Sequence, residues 1–155
     1  MEINRKQAGT MFIAAIFIVS GISFAISWNP PKENTIETTG FLTQPIANEQ
    51  RTLFINNDVA ILTFFYLPDN QDSQDVKKEV EKLNEEIGDK LLVEEIDVNT
   101  YGTFSAEYNI KTVPVILIRG KENKNTPTRL EGYQDYDTIK DKVCDSYTEK
   151  PEFCG

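Results

Sequence analysis

The sequence predicts an α/β fold built on a parallel or mixed sheet, and three observations carry that expectation. The run VAILTFFY at residues 59–66 is almost continuously apolar, the pattern of a strand buried on both faces. A helical stripe follows, with Val76, Val80, Leu83 and Ile87 recurring at spacings of four, three and four. A second apolar strand, LLVEEIDV at 91–98, completes a strand–helix–strand unit of the length a parallel crossover requires.

Taken in chain order, the first element is an apolar segment. No charged side chain occurs between residues 7 and 31, and the stretch 11–28 reads MFIAAIFIVSGISFAISW. As a helix it would be about 27 Å long, near the lower limit for crossing a bilayer. Trp28 stands where an interfacial aromatic is expected, and Pro30 and Pro31 stop the helix beyond it. Arg5 and Lys6 precede the segment, which predicts a cytoplasmic N-terminus at 1–10, a single-pass membrane anchor at 11–28 and an exported domain. A cleaved signal peptide is the alternative, since Ala25 and Ser27 are small residues two apart, and it would give a secreted protein. Both readings place the domain outside the cytoplasm. Residues 29–50 are polar and read as a linker, with a possible edge strand at 36–43; the folded domain is expected over 51–155.

Beyond the strand at 59–66, the turn-forming residues 68–72 lead into a helix at 73–87, with Asp72 or Ser73 as its cap and Gly88 at its end. After the strand at 91–98, a short helical piece at 104–108 precedes a strand at 113–118 that carries Pro114 near its start. A turn at 123–125 and a short strand at 128–131 follow, and Gly132 breaks the strand. Asp135 or Asp137 opens a last helix, in which Tyr136, Ile139, Lys140 and Val143 share a face, the lysine by its stem.

Composition excludes several classes of function. The formal net charge is −9, which repels phosphate backbones and argues against a nucleic-acid partner. The chain has no histidine, so Ser-His-Asp and Cys-His mechanisms are unavailable. Two cysteines cannot build a four-cysteine zinc site, and no metal or other cofactor is expected. Asp69, Asp72 and Asp75 lack the calcium-loop pattern, because the required glycine and distal acid would fall at Gln74 and Val80. Helix capping and the helix dipole account for Asp72 and Asp75 more simply.

The order of elements, together with three local sequences, resembles the thioredoxin family over roughly residues 55–144. Phe65, Tyr66, Leu67 and Pro68 are similar to the aromatic strand end before that family's active-site loop. The segment YNIKTVP at 108–114 resembles the one ending in its cis-proline, and Gly132 matches a glycine usual before the last helix. The resemblance implies a three-layer α/β/α domain with a mixed central sheet and a place in cell redox homeostasis. It also exposes a departure. Where the family carries Cys-x-x-Cys, this chain has Asn70, Gln71, Asp72 and Ser73, and Ser73 has no base to activate it. The family's buried acid would fall at Phe64, which holds no proton. Val113 and Pro114 are what the resemblance leaves for function: Val113 would offer backbone groups to an extended peptide, unless the proline merely shapes the sheet end.

The cysteines, Cys144 and Cys154, stand at the end of the last helix and near the C-terminus. In an exported domain such a pair reads as a structural disulfide, and a redox-active pair displaced from the usual site is the alternative. Three functions therefore stand open: a redox-inactive, membrane-anchored module that binds a protein or peptide; a thiol–disulfide oxidoreductase working through Cys144 and Cys154; and a structural subunit of a membrane assembly.

Overall fold

A computed structural model describes residues 41–155. The expected anchor at 11–28 and most of the expected edge strand lie outside them; among the described residues no helix is long and apolar enough to cross a membrane. The elements are β1 (Phe41–Leu42), α1 (Asn48–Asn56), β2 (Ala60–Tyr66), α2 (Gln71–Ile87), β3 (Leu91–Asp97), α3 (Gly102–Glu107), β4 (Val115–Arg119), β5 (Thr128–Glu131) and α4 (Tyr136–Cys144). A single 3₁₀ turn, Gly88–Lys90, joins α2 to β3, and another, Glu152–Cys154, ends the chain.

The strands form one mixed sheet in the order β1-β3-β2-β4-β5. β2 runs parallel to β3 with Ala60 opposite Leu91, and antiparallel to β4 with Phe65 opposite Val115. β2 is central and buried on both sides, which is why its sequence shows no polar alternation. On one face Leu62 and Phe64 meet Val80 and Leu83 of α2 and Ile139 and Val143 of α4. On the other, Phe65, Ile96, Val115 and Leu117 are covered by Phe104, Tyr108 and Ile110. Helices on both faces of a mixed sheet make the three-layer α/β/α arrangement.

α1 straddles the expected end of the linker and has no strong apolar stripe of its own. It is held by a buried ion pair. Both terminal nitrogens of Arg51 donate to Glu94 of β3, at 2.7 and 2.9 Å. Glu94 also accepts from the Thr63 hydroxyl at 2.6 Å and from the Ile46 N–H at 2.8 Å. A fully buried carboxylate is tolerated only when it is satisfied in this way.

After α4 the tail folds back. Cys144 and Cys154 are joined by a disulfide with a Cα–Cα separation of 5.7 Å, and Tyr147 meets Phe153 edge-on at 5.9 Å between ring centroids. The Tyr147 hydroxyl donates to the Lys90 carbonyl, and burial pushes its pKa well above the usual tyrosine value. Gly120 lets the tail approach: a Cβ there would lie 2.3 Å from the Ser146 carbonyl oxygen.

Candidate functional site

The end of β2 and the start of α2 form a tight polar corner. The Asn70 N–H donates to the Leu67 carbonyl at 3.1 Å, and the Asn70 Oδ1 accepts from the Ser73 N–H at 2.8 Å. Asn70, with extended backbone at φ −94° and ψ 121°, is therefore the cap of α2, which begins at Gln71. This corrects the expectation that Asp72 or Ser73 caps a helix starting at 73. Both lie inside the first turn, where their own backbone is already helical and cannot play that part. Ser73 is fully buried, and its hydroxyl accepts from the Leu67 N–H at 3.4 Å. The Gln74 amide donates to the Pro68 carbonyl at 2.8 Å. Asp72 lies in the first turn, where the helix dipole favours an acid. Asp75 accepts hydrogen bonds from Lys78 and Gln71, which hold its carboxyl below the usual range. Among the described residues no group of three acids or cysteines is arranged to hold a metal ion.

Across from this corner runs the segment before β4. The Val113–Pro114 peptide bond is cis. The Pro114 carbonyl accepts from the Gly132 N–H at 2.9 Å, so the segment is fixed to the end of β5. Among the described residues neither the N–H nor the carbonyl of Val113 has a hydrogen-bond partner. Leu67, Asn70, Val98, Ile110, Thr112 and Val113 line an open groove of about 340 Å³. A second hollow of about 370 Å³ continues from it past Pro68, Asp69 and Asn99. Folding thus brings Asn70 and Val113, far apart in sequence, to one groove.

Neither a protein-family model nor a curated protein matches the chain. Solved structures do. A point-mutant thioredoxin of Halobacterium salinarum superposes with a TM-score of 0.60 at 23% identity, covering 76% of this chain and 99% of that one. A Fasciola hepatica thioredoxin gives 0.54 at 17% identity, with 68% and 97% covered. Chloroplastic thioredoxin z gives 0.52 at 24% identity, with 63% and 88% covered. The fold is thioredoxin-like.

Within the thioredoxin-like domain, Asn70 and Val113 line one groove, whereas Gln71, Asp72, Ser73, Pro114, Cys144 and Cys154 are not among its lining residues. Sequence reasoning missed an acid. Phe64 is fully buried, as a position facing α2 should be, but its register partner on β3 is Glu95, on the same face. Glu95 is 5% exposed and accepts from Lys77 of α2. Tyr66 stacks on Phe64 at 5.6 Å, and burial first, then the Glu95 charge, raises its hydroxyl pKa. The sheet therefore keeps a buried carboxylate one strand away from the place where the resemblance sought it. Only strand register reveals this, because a Glu-Glu pair inside LLVEEIDV looks like solvent-facing polarity.

Proposed function

We propose that this chain is a membrane-anchored, exported, redox-inactive thioredoxin-like module that binds an extended segment of a protein partner along the Val113-Pro114 edge. The observation that carries this reading is the groove itself: it presents backbone groups at Val113 with no partner among the described residues, beside apolar walls, and no thiol lines it. An extended chain laid there would gain main-chain hydrogen bonds from Val113 and side-chain contacts from Leu67, Val98 and Ile110. Asn70 and Ser73, where the resemblance would put cysteines, are occupied in holding the corner.

The oxidoreductase alternative, working through Cys144 and Cys154, is less well supported. Cys144 is the last residue of α4 and is buried. A helix C-terminus disfavours negative charge, so a thiolate there lacks the stabilisation that makes a reactive cysteine. The pair fits a staple.

A photo-crosslinking amino acid at Thr112 of the full chain, in its own membrane, tests the proposal. Discrete adducts are expected from position 112, none from a control at Glu85 on the exposed face of α2, and the same adducts with both cysteines changed to serine. Adducts of equal strength at both positions, or none at 112, would count against a binding groove.

A further inference from the structure

At the opposite end of β2 the surface changes sign. A hollow of about 370 Å³ is bounded by α1, the end of β4 and the turn that follows it. Arg51, Arg119, Lys124, Asn48, Asn56 and Asn125 are among its walls, and among the described residues no carboxylate lines it. In a chain of net charge −9, three cations around one hollow with no carboxylate among its described lining residues call for a reason.

Electrostatics sharpens the point. Arg51 is neutralised by Glu94, yet its Nε, buried with the rest of the residue at 3% exposure, has no hydrogen-bond partner among the described residues. That nitrogen is sealed from solvent, so the charge the hollow offers a ligand comes from Arg119 and Lys124. Arg119 and Lys124 form no ion pair among the described residues, whereas Lys77, Lys121, Arg129 and Lys140 all do. Arg119 is nevertheless oriented, since its guanidinium carbon lies 5.4 Å from the centre of the Tyr108 ring. The hollow is separate from the groove described above: Arg119 pairs with Ile61 at the start of β2, while the groove lies beyond its end.

We propose that this hollow is a binding site for a phosphate-type dianion. With Arg51 and Glu94 cancelling, Arg119 and Lys124 contribute two positive charges, which match a phosphate monoester near neutral pH. Guanidinium forks suit tetrahedral oxyanions, and the three asparagine amides supply neutral donors for the remaining oxygens. The volume accommodates either free phosphate or the phosphoryl end of an ester.

The test uses the full chain in a maltoside detergent at fixed ionic strength, with inorganic phosphate and glycerol 3-phosphate titrated separately and amide NMR shifts followed. Saturable shifts are expected at residues 48–56 and 119–125, with affinity weakened at least tenfold by Lys124→Gln and by Arg119→Gln. Lys124 is exposed, so its variant keeps the fold, which an unchanged melting temperature verifies. Glycerol 3-phosphate binding at least tenfold tighter would identify an esterified phosphate as the ligand; equal binding would identify the free anion. Shifts reproduced by chloride at the same ionic strength, or left unchanged by Lys124→Gln, would overturn the proposal.

Discussion

α2 and α4 pack side by side on the same face of the sheet, yet they are anchored by opposite means. α2 is fixed at its N-terminus by the neutral Asn70 side chain, in a corner bordering an open groove. α4 begins with the charged Asp135, whose Oδ1 accepts from the Thr138 N–H at 2.8 Å, and ends in a disulfide to the tail. The difference has chemical consequences. A helix N-terminus offers amide dipoles that stabilise a thiolate, and this chain keeps cysteine away from it. Both cysteines are instead committed at and beyond a helix C-terminus, where a cross-link restrains the tail and a thiolate gains no help. On the reading proposed above, the sulfur serves as a staple because it stands at the helix end that does not stabilise a thiolate.

The strongest way to break this contrast is to move sulfur to α2. Asn70→Cys combined with Ser73→Cys should create a dithiol that reduces insulin with dithiothreitol as electron source, and the parent chain is expected to show no such turnover. Failure of the double variant to turn over, although folded, would mean that the corner is unfit for exchange on grounds other than its lack of cysteine. Next in size is the staple. Replacing Cys144 and Cys154 with serine should cost about 3 kcal/mol in denaturant unfolding, from the loop that the disulfide closes. Crosslinking from Thr112 should be unaffected. A smaller loss would place the tail's hold on Tyr147 and Phe153 rather than on the disulfide.

The smallest effect concerns the caps. Hydrogen bonds from the Thr138 backbone and side chain lower the Asp135 pKa below its ordinary value. Asp135 therefore contributes stability above the unfolded-state pKa of about 3.9, and that contribution is lost as pH falls through the depressed folded value. Asp135→Asn retains a capping oxygen but cannot titrate, so its stability should vary less with pH below about pH 4. Asn70, being neutral, already gives α2 this independence. Equal acid sensitivity in the variant and the parent, measured by thermal melts across that range, would show that other carboxylates govern α4.

Much of this architecture was legible in the residues. The apolar run of β2, the stripe of α2 and the strand after it required no tertiary knowledge, because backbone periodicity alone selects which side chains share a face. The break at Gly132 and the pairing of the cysteines were legible for equally local reasons, whereas Asp135 and Asp137 stood as equal candidates for the cap of α4 until backbone geometry selected Asp135. α1 was not. Its sequence, NEQRTLFIN, is weakly amphipathic, and its place is set by Arg51 reaching Glu94 more than forty residues away. The cap of α2 was misplaced because Asn, Asp and Ser stand almost adjacent there, and only backbone geometry selects among them.

By itself, then, the sequence determined the sheet-and-helix order, the exclusion of histidine chemistry and the absence of a cysteine at the start of α2. Those properties follow from residue identity and short-range periodicity. Tertiary structure alone decided that Asn70 meets Val113 across a groove, that Glu95 takes a buried place beside Phe64, and that Arg51, Arg119 and Lys124 converge on one hollow. Each of these depends on strand register and chain reversal, which couple residues distant in sequence and leave no trace in local pattern.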